Sequence, residues 1–207
     1  YIHVEKPDQE AVPSRQFDIS KIDFELLSRE FAHTRRKNLL LRDLDELVNQ
    51  QLAKMLFANP QRIDYYDRYQ EIIDAYNAEQ NRATIEKTFM DLMELASSLD
   101  TEQQRYVREG FSSDEELSVY DLLFSENLTK QEIETIKKVS VDLLTKIKQQ
   151  IAKLDHWTDK QETKAIVDNL IRNTLWQELP NSYDVSDIQT YQKKIYEYVY
   201  MRYPEVA

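Results

Sequence analysis

Residues 129–154 read TKQEIETIKKVSVDLLTKIKQQIAKL. Thr129 followed three residues later by Glu132 is a capping box, in which each side chain satisfies an N–H that the first helical turn would leave orphaned. Behind it, Ile133, Ile136, Leu143, Ile147, Ile151 and Leu154 recur at steps of three, four and seven. At about 100° per residue they share one face. The spacing predicts a helix from about Thr129 to Leu154, the longest in the chain, with one stripe turned to a core.

The same grammar extends in both directions. Further Ser/Thr–Glu/Gln pairs at capping-box spacing are Thr101/Gln104, Ser113/Glu116, Thr158/Gln161 and Ser186/Gln189. Helical stripes are Ile22, Leu26, Leu27 and Phe31; Leu41, Leu44, Val48, Leu52 and Met55; Tyr65, Tyr69, Ile72 and Tyr76; and Ile85, Phe89, Leu92, Ala96 and Leu99. Short helices are expected near 102–109 and 114–124, on either side of Gly110. Ile166, Leu170 and Leu175 mark the next helix, which Pro180 stops, and Ile188, Tyr191, Ile195 and Tyr198 mark the last. No stretch alternates with period two between turn signals. The expected fold is all-α, an irregular multi-helix bundle with little or no sheet. Residues 1–17 are polar, contain Pro7 and Pro13, and read as a linker from an upstream domain. Asn59-Pro60 is the expected boundary between bridging helices (18–58) and a C-terminal helical domain (59–207).

Composition narrows the chemistry. The chain of 207 residues holds a single glycine, Gly110. Loops that cradle phosphates need several, so that backbone N–H groups can converge on the anion. Neither a GxxxxGK[ST] loop nor a GxGxxG turn occurs. Zero cysteines exclude disulfides, zinc–thiolate sites and a cysteine nucleophile, and accord with a cytoplasmic protein. No apolar run approaches the ~20 residues of a membrane span, so no membrane partner is expected. Tyr1 stands where a Met would open a natural chain, which suggests a piece of a longer protein. The net charge of −11 is spread over both halves, so nucleic acid can be met only through a local basic patch.

Several residue groups invite a chemical reading. Glu30-x-x-His33 is the unit of carboxylate-bridged di-metal bundles, but such sites need a second copy and two further glutamates; a solvated face is the better reading, and no metal is expected. Glu162-x-Lys164 with Gln192-x-x-x-Tyr196 imitates part of a RecB-like nuclease signature. That chemistry sets its carboxylates on strands around a metal, whereas Glu162 and Lys164 fall in the first turns of a predicted helix. A second QxxxY, Gln61 to Tyr65, shows how easily that fragment arises. Asp64, Asp67, Glu71 and Asp74 form an acidic stripe suited to solvent or a partner.

The clearest positive feature is Arg29–Arg42, where Arg29, Arg35, Arg36, Lys37 and Arg42 face Glu30 alone. It straddles the junction of the first two helices and is the first candidate for DNA phosphate contact. Arg62 and the lysines of the long helix, Lys137, Lys138 and Lys148 among them, are the second. The C-terminal tyrosines Tyr191, Tyr196, Tyr198, Tyr200 and Tyr203 cover more than one helix face. Tyrosine is favoured at interfaces, so Tyr191, Tyr196, Tyr200 and Tyr203 are candidates for a partner surface.

Three stretches carry a family resemblance. They are Ile22-Asp23-Phe24-Glu25 with the basic helix after it; Asn59-Pro60-x-Arg62-x-Asp64 through Tyr69 to Tyr76-Asn77; and Arg105-x-x-Arg108-Glu109-Gly110 leading to Glu115-Glu116-Leu117 and Asp121-Leu122-Leu123. With the helical tail after Leu128, the chain resembles the C-terminal region of the motor and restriction subunit (HsdR) of type I restriction-modification enzymes, over most of 18–207. The resemblance implies a parent subunit with a nuclease domain and two RecA-like motor domains that use ATP and Mg to translocate DNA. It implies that this region is non-catalytic and binds no cofactor itself. Its implied partners are the methyltransferase core (modification and specificity subunits), duplex DNA and the upstream motor and helical domains. The family's catalytic residues match no position here. The rival expectation is a protein-interaction module without DNA contact.

Overall fold

A computed structural model describes residues 22–204. The expected linker 1–17, with His3, and the first residues of the expected bridging segment lie outside them. The described residues form nine α-helices with no strand among them. They divide into two compact packing units between Arg105 and Tyr106. The division expected at Asn59-Pro60 therefore falls inside the first unit. The reason is physical: Asn59 is buried and accepts from the Gln61 N–H, and Pro60–Arg62 forms one 3-10 turn between two helices of a shared core. The Asn-Pro step is a corner between two helices of the first unit.

In the first unit, α1 (Phe24–His33) is capped by Asp23, whose carboxylate accepts from Leu26 N–H at 2.9 Å. α2 (Lys37–Ala58), α3 (Ile63–Ala78) and α4 (Arg82–Gln103) make the body, with α2 and α3 both packed on α4. The predicted stripe of α2 (Leu41, Leu44, Val48, Leu52, Met55) is buried as read. On α3, Tyr69, Ile72 and Tyr76 of the predicted stripe are buried as read, Tyr65 is half-buried, and Tyr66 and Ile73 join the core beside them. α1 buries Phe31 alone, stacked on Phe89 of α4 with ring centroids 3.6 Å apart.

In the second unit, α5 (Arg105–Arg108, on the boundary) ends at Gly110, whose φ of +84° only glycine adopts at low cost. That turn returns Phe111 to the core, its N–H bonded to Tyr106 C=O at 2.8 Å. α6 (Asp114–Leu123), α7 (Lys130–Ile151), α8 (Gln161–Glu178) and α9 (Val185–Arg202) follow, paired α6 on α7, α7 on α8 and α8 on α9. α7 is the quoted stretch, and its 22 residues match the length of α2 and α4. α8 buries Val167, Ile171 and Leu175, while Ile166 is exposed, so its stripe runs one residue from the expected phase.

The capping boxes fared unequally. Thr129/Glu132 is a complete box. Ser113 caps α6 by accepting from Glu116 N–H, but Glu116 returns to Ser112 N–H, one residue early. Thr101 lies within α4 and bonds back to Ser97 C=O. Thr158 makes no cap for α8, and α9 is capped by the box Asp184/Asp187, with Ser186 already inside the helix.

Candidate functional site

The basic stretch Arg29–Arg42 becomes a corner. Thr34, Arg35 and Arg36 join α1 to α2, and Thr34 Oγ1 accepts from Arg36 N–H at 3.1 Å. Arg36 is the N-cap of α2 but supplies no side-chain acceptor, and the first turn of α2 holds no acidic residue. The partial positive charge of the helix N-terminus is thus not offset by a carboxylate of α2's own first turn. Arg35 and Arg36 are exposed and form no ion pair among the described residues. His33 is exposed on the same corner.

The other candidate cations separate into two groups. Arg29 and Arg42 are exposed and make only surface pairs, with Glu25 at 3.5 Å and Asp43 at 4.0 Å; such pairs are weak and open readily. Lys37 is half-buried, bonded to Glu86 Oε1 at 2.6 Å and set over the Phe31 ring at 4.9 Å. The Lys37 hydrogen bond, assisted by Arg82, holds the Glu86 carboxyl below its ordinary range. Lys37 ties α2 to α4.

Arg62 is 4% exposed. Its Nε donates to Glu102 Oε1 at 3.0 Å, and Arg105 Nη1 donates to the same oxygen at 3.0 Å. Burial on this scale removes Arg62 from any phosphate-contacting surface; it fastens the Pro60–Arg62 turn to the end of α4. Lys137 donates to both the carbonyl and the carboxylate of Glu109 at 3.0 Å, beside the Phe111 and Tyr120 rings. Lys148 pairs with Glu115 and lies 5.2 Å from the Tyr203 ring centroid. Burial pushes the Glu115 carboxyl up, but Lys148, Tyr203 and Arg202 outweigh it and hold it below its usual range. Among the α7 lysines first named for DNA contact, Lys138 alone is exposed without an ion pair among the described residues.

The tyrosines are also largely committed. Tyr191 meets Tyr183 edge-on at 5.5 Å. Tyr196 and Tyr200 pack edge-on against buried Trp157 at 6.2 and 5.7 Å. Tyr203 is half-buried, and its backbone carbonyl accepts from Trp157 Nε1 at 2.6 Å. Tyr200, 39% exposed, keeps the most surface free.

Two features were missed in the sequence. One is a buried polar triplet: Tyr69 Oη donates to Asp45 Oδ1 at 2.8 Å and accepts from Asn49 Nδ2 at 3.1 Å. Burial raises the Asp45 carboxyl, against the lowering effect of the Tyr69 bond. The other is a groove of about 560 Å³ between α1 and α2, lined by Ile22, Leu26, Leu27, Leu40, Leu44 and Leu47. Its signal was present as apolar surplus: Leu39-Leu40-Leu41 covers more of a helix than one core stripe needs.

No group of three His, Cys, Asp or Glu side chains among the described residues could hold a metal ion. Glu30 and His33 are both exposed, and Glu162 and Lys164 lie in the first turn of α8. No described helix is long and apolar enough to cross a membrane.

Residues 10–203 match the family described as type I restriction enzyme HindI endonuclease subunit-like, C-terminal. The chain belongs to that family. No curated protein and no solved structure matches it. The match to this type I restriction C-terminal family runs through both packing units, so its sequence pattern spans the arginine corner, the groove and the tyrosine-rich end alike.

Proposed function

We propose that this region is a non-catalytic assembly and DNA-guiding part of a type I restriction motor subunit. It docks the subunit onto the methyltransferase core, formed by the modification and specificity subunits, and steers duplex DNA toward the motor. ATP and Mg²⁺ chemistry belongs to the parent's motor domains, and the parent works in the cytoplasm. The observation that carries the DNA half is that Arg35 and Arg36 are exposed and without an ion pair among the described residues, at an α2 N-terminus that has no side-chain cap. Arg29 and Arg42 flank it behind weak surface pairs. Contact goes to phosphates without base readout, because a translocating motor must accept every sequence.

Anisotropy of a labelled duplex, titrated with and without the methyltransferase at low and physiological salt, tests this. Salt-sensitive binding by the chain alone is expected, since phosphate contact releases counterions. Binding only through the methyltransferase, indifferent to salt, would favour the second reading, a protein-interaction module without DNA contact. The acidic balance and the apolar groove support that alternative.

A further inference from the structure

We infer that the α1–α2 groove is a docking site for an amphipathic helix of a partner protein, one with an aliphatic face flanked by lysines or arginines. The inference rests on the assembly half of the function proposed above and specifies the chemistry of the docked element.

The floor of the groove is aliphatic, and its rim is acidic: Asp23 and Glu30 on the α1 side, Asp43 and Glu46 on the α2 side. No basic residue is among the described residues that line it. Small-molecule sites hold a few convergent polar groups inside an apolar cavity to fix orientation. Here the polar lining groups are all exposed and share one sign, with Arg42 reaching Asp43 only in a weak surface pair at 4.0 Å. That is the pattern of helix-in-groove recognition, in which apolar anchors at i, i+3 or i+4, and i+7 enter the groove and flanking charges set register and orientation.

Among the described residues, nothing covers this face of the hairpin. α1 is fastened by Phe31 stacked on Phe89 and by Phe24 and Leu27 packed on the same core, while Leu26 is 49% exposed. Charge is sorted along the same hairpin, with Arg35 and Arg36 at the corner and the four carboxylates around the groove. A basic-flanked helix complements the groove and is repelled by the corner, which fixes where it sits. A second copy of this chain is a poor occupant, because a surface carrying a net charge of −11 would meet an acidic rim.

The test uses the full 207-residue chain and two labelled helical peptides with leucines at i, i+3, i+4 and i+7, one flanked by lysines and one by glutamates. Fluorescence polarisation should show the lysine-flanked peptide binding at least about ten-fold more tightly at physiological salt. Leu26→Glu should abolish binding, with helicity by circular dichroism unchanged because the site is half-exposed. The double variant Asp43→Lys/Glu46→Lys, at two exposed positions, leaves two carboxylates against two lysines on the rim and should abolish the preference for the lysine-flanked peptide. Equal affinity of the unaltered chain for both peptides, binding to neither, or indifference to these variants would overturn the inference. So would a concentration-dependent dimer that Leu26→Glu dissolves, since the occupant would then be a second copy. If the chain binds the methyltransferase and DNA but neither peptide, the groove inference alone fails. If it binds the lysine-flanked peptide but neither macromolecule, the proposed function fails and the groove stands.

Discussion

Both packing units tie some candidate cations to carboxylates and leave others without an ion pair among the described residues: Lys138 on the face of α7 in the second unit, Arg35 and Arg36 at a corner in the first. In the second unit, Lys137 and Lys148 are each held by a carboxylate and set beside aromatic rings. In the first unit, Arg62 and Lys37 are likewise committed, but Arg35 and Arg36 protrude from a corner and pair with no described carboxylate. A lysine on a helix face within reach of a facing glutamate becomes a tie between helices. A charge in a three-residue turn has no facing helix to meet. The difference teaches that availability, not the local count of basic residues, decides which cations a phosphate can reach.

The largest effect expected from breaking this contrast is at Arg62. Arg62→Ala leaves Glu102 buried without its most buried cation, though Arg105 and the Tyr65 hydroxyl remain beside it, and loss of one partner of a buried pair costs about 3–5 kcal/mol. Urea unfolding followed by circular dichroism should show that loss. A change under about 1 kcal/mol would mean that the site relaxes enough to hydrate, against its observed burial.

A smaller effect separates packing from partner surface at the C-terminal tyrosines. Tyr200→Ala removes an edge-on contact to Trp157, and such aromatic pairs contribute about 0.5–1.5 kcal/mol beyond area burial. A thermal melt should register this, together with weaker binding to the methyltransferase core, since Tyr200 is the most exposed of the four candidates. Tyr196→Ala should destabilise without a separate loss of partner binding once folding is corrected for.

The smallest effects concern two carboxylates of opposite character. Burial raises the Asp45 carboxyl, so the folded state prefers it protonated. Its contribution is fully present below the ordinary aspartate range and is lost as pH rises through the raised value. Asp45→Asn should therefore raise the melting temperature at pH 7, with the gain fading on acidification. Glu115 is held low by Lys148, Tyr203 and Arg202 after its burial is overcome. Its contribution is present above the ordinary glutamate range and is lost as pH falls through the lowered value. Glu115→Gln should lower the melting temperature at pH 7, with the loss fading on acidification. Melts of both variants across pH check the two signs.

The helices were legible because their stripes repeat over three or more turns, and all five expected stripe residues of α2 are buried, with Asp45, Gln51 and Leu56 beside them unforeseen. Phase was less legible at the start of α3 and on α8, where two adjacent residues compete for one core position, as Tyr65 and Tyr66 and Ile166 and Val167 do. Caps were ambiguous where several acceptors cluster: Asp184 outcompetes Ser186 because its carboxylate reaches the Asp187 N–H and starts the helix earlier. The site was legible only as a charge count. Which cation meets which carboxylate depends on contacts 28 to 49 residues apart, such as Lys137 with Glu109 and Lys37 with Glu86. No local pattern encodes those meetings.

The central claim is that the arginine corner, and not the paired lysines of α7, meets DNA. Its most direct test is the salt dependence of duplex affinity for Arg35→Ala/Arg36→Ala beside Lys137→Ala/Lys148→Ala, both in the 207-residue chain. The corner variant should bind more weakly, with a salt slope reduced by about 1 for each side chain that contacts phosphate, while the lysine variant keeps the parent slope. A flattened slope in the lysine variant with an unchanged slope in the corner variant would contradict the account.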